Sequence, residues 1–124
     1  MGEHMTEPWQ WPDHLDATIA APDSHTVIFE NDLVRVLEIV LPPGVKEPEH
    51  THRWPSLMTV MDPARIRFFA EGELAYESLG AEPTGPRPPR WMDPEGPHSV
   101  ENIDTCVFRA HRVELKRPRD GAPT

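Results

Sequence analysis

Three histidines in this sequence have the type and spacing to do chemistry together. His50 and His52 are separated by one residue, and His98 follows Pro94-Glu95-Gly96-Pro97 at the head of an apolar run. On a β-strand, alternation sends His50 and His52 to the same face, with Cα atoms about 6.5–7 Å apart. Two imidazoles at that spacing can share one metal ion, and neutral imidazole suits zinc, copper, nickel or iron. A third imidazole, His98, arriving on another strand would complete a facial set with open positions for water or a substrate. Spacing alone leaves open a pair of surface histidines beside a proline-rich loop, because the chain holds 7 histidines in all.

Other side chains could contribute to a pocket around that set. Trp54 and Trp91 lie near His52 and His98 in sequence and could wall a ligand or simply pack. Arg35, Arg67 and Arg109 sit inside apolar runs, where an inward-facing guanidinium would bind a carboxylate bidentately and an outward one would be solvated. Glu38 and Glu114 could supply a carboxylate if they point inward, although a single bulge reverses the facing of a strand. His111 alternates with Arg109 and Val113 and reads as structural or exposed. Asn102 reads as a turn cap before Ile103-Asp104. The single cysteine, Cys106, lies in Thr105-Cys106-Val107-Phe108 and is expected to be a buried, inert thiol.

The elements that must carry these residues are short strands. Residues 26–29 and 33–41 are rich in β-branched side chains and are divided by the turn signal Glu30-Asn31-Asp32. Pro42-Pro43-Gly44 stops the second run. Further strands are expected at 56–61, closed by Asp62-Pro63, then at 66–69, 74–76, 99–100 and 105–115. Residues 82–97 hold six prolines and are expected to form an irregular loop at a pocket mouth. No stretch of helical length shows a 3.6-residue period, so the pattern predicts an all-β sandwich or barrel.

Length allows one domain: 124 residues, divided into an N-terminal arm over 1–25, a barrel over 26–116 and a flexible tail over 117–124. Met1–His4 reads as a cloning remnant, so the formal Met1-Gly2-x-x-x-Thr6 lipidation pattern is set aside. Trp9 and Trp11 share one face of an extended arm and are expected to pack on the barrel or on a second subunit. A net charge of −9 argues against nucleic acid or an anionic membrane as the main partner. With no apolar span or leader pattern, the expected location is cytoplasmic. A nucleotide-binding glycine loop, a nucleophile elbow and zinc-ribbon cysteine spacing are all absent.

Two segments resemble the motifs of the cupin family. Gly44-Val-Lys-Glu-Pro-Glu-His50-Thr-His52 is similar to the first motif, a glycine, five residues, then His-x-His. Pro94-Glu-Gly96-Pro-His98-Ser-Val-Glu-Asn102 resembles the second, in which a Pro-x-Gly turn leads to a histidine and then an asparagine. The resemblance covers roughly residues 26–116 and implies an antiparallel jelly-roll β-barrel, a homodimer, and a divalent metal (zinc, iron, nickel or manganese) on His50, His52 and His98. It departs from the family at Ser56, which stands where a metal-binding glutamate is expected, and between Gly96 and His98, where only Pro97 intervenes. The implied function is a pocket that binds a metal and a small polar organic ligand or substrate, as a dioxygenase- or isomerase-like enzyme. The alternative is a metal-free binding or interaction module. Ser56, Trp54, Trp91, Glu38 and Arg67 are the candidate pocket residues beside the histidines.

Overall fold

The computed structural model describes residues 9–78 and 87–116. Among the described residues nine strands run in chain order: β1 (His25–Glu30), β2 (Val34–Leu41), β3 (His50–His52), β4 (Ser56–Asp62), β5 (Ile66–Ala70), β6 (Glu73–Ser78), β7 (Arg90–Met92), β8 (Glu95–Asn102) and β9 (Phe108–Leu115). They form two antiparallel sheets, a five-stranded one in the order β1-β2-β9-β4-β7 and a four-stranded one in the order β3-β8-β5-β6. A 3₁₀ turn at Asp13–Leu15 and a four-residue helix α1 (Ala17–Ala20) precede β1. Residues 1–8 of the expected arm, including the remnant at 1–4, and the expected tail at 117–124 lie outside the described residues.

Strict alternation in β2 and β9 explains the inner face of the larger sheet. Every second residue of each is buried: Arg35, Leu37, Ile39 and Leu41 on β2, and Phe108, Ala110, Arg112 and Glu114 on β9. The strands pair in unbroken register, so Leu41 faces Phe108, Ile39 faces Ala110, Leu37 faces Arg112 and Arg35 faces Glu114. One end of this inner face is therefore apolar and the other ionic. The apolar end is the core, where Ile39, Leu41, Ala64, Phe108 and Ala110 pack with Met58, Val60, Ile66 and Val100. The ionic end adjoins the histidines.

The segment between β2 and β3 is placed by the end of β8. Pro42-Pro43-Gly44-Val45 forms a turn, with the Val45 N–H donating to Pro42 O at 3.2 Å and Gly44 at φ +79°, a conformation open to glycine at little cost. Gly44 N–H then donates to Asn102 O, Asn102 N–H to Val45 O and Glu47 N–H to Val100 O. Asn102 is fully buried; its side chain donates to Leu41 O and Cys106 O and accepts from Asp104 N–H, the turn-capping role its context predicts.

Several segments differ from the sequence expectation. Within 82–97, residues 82–86 lie outside the described residues, but Arg90–Met92 pairs with β4 and β8 already starts at Glu95. Prolines are tolerated there because β8 slips register against β3 between Glu95 and His98, a bulge that does not need the N–H of Pro97. The last strand begins at Phe108, so Cys106 is exposed in the preceding turn rather than buried. The N-terminal arm packs closely. The Trp11 indole lies against Gly96, its Nε1 3.1 Å from where a Cβ would stand, and Asp16 bridges Thr51.

Candidate metal centre and cavity

His50 and His98 are direct register partners on β3 and β8, and His52 lies two residues further along β3, opposite Glu95. The structure thus brings the three predicted histidines together, with ring centroids 4.4 Å apart for His50–His98, 5.1 Å for His50–His52 and 5.4 Å for His52–His98. A fourth imidazole joins them from the facing sheet. His25, the first residue of β1, has its ring 4.5 Å from His50 and 5.3 Å from His52. Ligand atoms of His25, His50 and His52 lie within 4.8 Å of one another, as do those of His52, Glu95 and His98. Sequence reasoning missed His25 and Glu95. His25 carries no spacing signal, and its proximity exists only once β1 is laid opposite β3.

Each ring is fixed through Nδ1. His50 donates to Pro48 O (2.9 Å), His98 to Gly96 O (2.7 Å), His25 to Ala21 O (3.2 Å) and His52 to the Glu114 carboxylate (2.9 Å). Such contacts set the tautomer and leave Nε2 as the lone pair each ring offers. Burial keeps all four rings neutral. It pushes His25 down to about 4 and His50 down to about 2, holds His52 well below its ordinary value and lowers His98. The charge on Arg112 and the crowding of the imidazoles act in the same direction. Four desolvated neutral imidazoles with Nδ1 already committed are a donor set that fits a divalent transition metal.

The surrounding ions hold this cluster in place. Glu114, fully buried, accepts from His52 with one oxygen and from Arg35 Nε with the other at 2.6 Å; Arg35 is tied in turn to both Asp16 oxygens at 3.1 Å. Burial pushes the Glu114 carboxyl up, and the Arg35 guanidinium opposes it. Glu47 is also buried, with Oε2 3.7 Å from His50 Nε2; it accepts from the Ser24 hydroxyl and the Val100 N–H, and burial pushes it up to about 7.

A cavity of about 730 Å³ opens from the histidines. Its polar end is His25, His50, His52, His98, Glu47, Glu95 and Arg112; apolar residues such as Leu41, Met58, Phe68 and Phe108 form the walls, and Arg87, Pro88, Pro89 and Arg90 are also on its lining. The five candidate pocket residues do not line it. Ser56 is buried behind the histidines, where its hydroxyl accepts from Arg112 Nε at 2.9 Å. Trp54 covers the Arg35 guanidinium at 5.0 Å. Trp91 is 55% exposed and donates to Asp93. Glu38 pairs with Arg109 and His111, and Arg67 pairs with Glu77, all on outward faces. For Glu38 and Trp91 the alternation of the strand decides: each is adjacent to an inward residue, Leu37 or Met92.

Solved structures share this architecture. A cupin domain from Bordetella pertussis Tohama I superposes with a TM-score of 0.61 at 20% identity, over 75% of this chain and 92% of that one. An RmlC-like cupin family protein with a double-stranded β-helix fold from Methanocaldococcus jannaschii gives 0.53 at 13% identity, over 73% and 77%. The fold is that of a cupin. The polyketide cyclase RemF from Streptomyces resistomycificus has the same similarity of form, with a TM-score of 0.52 at 18% identity over 81% of this chain and 71% of that one. No family model matches the sequence, and no curated protein matches it significantly. Within the cupin fold seen here, the expected carboxylate position on β4 is Ser56, and the carboxylate grouped with the histidines is Glu95 on β8. Among the described residues no helix is long and apolar enough to cross a membrane.

Proposed function

We propose that the protein binds one divalent transition-metal ion through His50, His52 and His98, with His25 as a fourth imidazole, and uses the adjoining cavity for a small organic molecule. The observation that carries this reading is the uniform tethering of four buried, neutral rings through Nδ1. Glu95 is the candidate carboxylate ligand, since its oxygen groups with His52 and His98. A bound ion would supply Lewis-acid or oxygen-activating chemistry at the closed end of the cavity. The chain's own residues orient and desolvate: Glu114 fixes His52, the loop carbonyls of Pro48 and Gly96 fix His50 and His98, and the apolar walls exclude water. RemF is a polyketide cyclase, so the fold is compatible with catalysis as well as with binding alone.

One observation favours a metal-free binding module instead. Arg112 donates to Ser56 and Glu95 and so puts a guanidinium beside the imidazoles, where a cation raises the cost of a second one. Elemental analysis of the purified protein separates the two readings. One equivalent of metal, lost in both His50→Ala and His98→Ala, is the expected result; no metal in any preparation, even after supplementation, overturns it.

A further inference from the structure

Arg112 is 3% exposed, yet it is on the cavity lining with the histidines. Its Nε is taken by the Ser56 hydroxyl and its Nη2 by Glu95 Oε1 at 2.5 Å. Among the described residues, Nη1 reaches only the thioether sulfur of Met58, at 3.9 Å. A thioether is a weak acceptor, and a buried guanidinium has five N–H donors to satisfy in a fixed planar fork. The side chain is thus held rigidly on one edge and under-used on the other, toward Met58, which also lines the cavity.

The remaining walls narrow what would fill that space. Tyr76, Phe68 and His98 form a run of three near-parallel rings on the lining, 6° and 11° apart in plane and 5.1 and 5.3 Å between centroids. Leu41, Ile66 and Phe108 continue the apolar surface. Such a cavity favours an apolar body carrying one polar group at its inner end. An acidic group there completes a charge-assisted hydrogen bond with the edge of Arg112 that Ser56 and Glu95 leave open.

We propose that the cavity takes an organic carboxylate with an apolar body, its acid group held by Arg112 Nη1 at the histidine end. This rests on the cavity being a ligand site and does not require that the metal be bound. Of the arginines singled out in the sequence, Arg35 is saturated by Glu114 and Asp16, and Arg67 and Arg109 pair on the outside. Arg112 enters the site because position 56 carries a small hydroxyl that its Nε can use.

The test is isothermal titration of the full chain with 2-naphthoate and its neutral isostere 2-naphthamide, before and after treatment with a chelator. The acid is expected to bind at least about tenfold more tightly than the amide in both preparations, the size of one charge-assisted hydrogen bond. Arg112→Lys keeps the pairing with Glu95 and loses the fork, so the preference should fall to within about twofold. Met58→Glu leaves Arg112 in place but occupies Nη1 internally, and it should abolish the preference. Equal affinities in the wild-type chain, no binding of either probe, or a preference that survives both substitutions overturns the proposal. So does a preference that disappears on chelation, which would place the acid on the metal. Elemental analysis of the same samples reports on the metal reading separately.

Discussion

Glu114 and His52 form the innermost contact of the site: Nδ1 of a fully buried imidazole donates to Oε2 of a fully buried carboxylate at 2.9 Å, and Arg35 holds the other oxygen. This pair ties the ionic end of the β2–β9 face to the histidine cluster. A carboxylate behind an imidazole raises its basicity and fixes its direction. Glu114→Gln preserves size but removes the charge and leaves Arg35 with Asp16 alone. Metal affinity is expected to fall about 10- to 100-fold, read by competition with a chromophoric chelator. An unchanged affinity would show that His52 is not a ligand or is oriented by other means.

The four neutral imidazoles also make a signed prediction about pH. Their ordinary value is 6.5, and His25 and His50 are held down to about 4 and about 2. Below pH 6.5 the unfolded chain takes up protons on these groups and the folded chain does not, so each costs stability at about 1.4 kcal/mol per pH unit until its folded value is reached. Glu47 acts oppositely. Its carboxyl, raised from 4.5 to about 7, is protonated in the folded chain first and adds stability as pH falls through that window. Burial raises Glu114 in the same sense. Four lowered histidines outnumber two raised glutamates. Chelator-treated protein should therefore melt at a lower temperature at pH 5 than at pH 7, measured by circular dichroism; a flat or rising profile would contradict the burial of the cluster.

Asn102 joins three segments with one side chain, donating to Leu41 O and Cys106 O and accepting from Asp104 N–H, with no exposure to water. Asn102→Ala removes all three bonds and strands the buried carbonyl of Leu41. A loss of about 2–4 kcal/mol is expected in urea unfolding. Because the Asn102 backbone also anchors Gly44 and Val45, a loosened loop should weaken metal binding at His50 as well.

A last expectation concerns assembly. β1 is an edge strand of the larger sheet and leaves Val27, Ile28 and Phe29 between 40% and 54% exposed, beside Leu33 at 69%. An apolar edge of this kind favours pairing with a second copy. Light scattering is expected to give twice the 14.1 kDa chain mass, and Ile28→Lys with Phe29→Lys should yield the monomer. A wild-type monomer would sink this.

The sequence by itself determined most of the strand pattern, though not β7 or the start of β8, and one face of the site. His50-x-His52 and His98 are legible because a two-residue period and a turn motif are local features, and alternation carries side-chain direction with it. Alternation also lets the turns around Gly44 and Asn102 be read from residue type. The tertiary structure decided the rest. His25 reaches the cluster only because β1 and β3 belong to facing sheets, and Glu95 only because β8 carries an extra residue between it and His98. Arg112 and Glu114 point inward with Phe108 and Ala110 through the register of β9, which a single bulge would have reversed. Cys106 is exposed because the strand begins three residues later than the expected start at 105. What a residue is can be read along the chain; what it faces depends on which strands pair and where they slip.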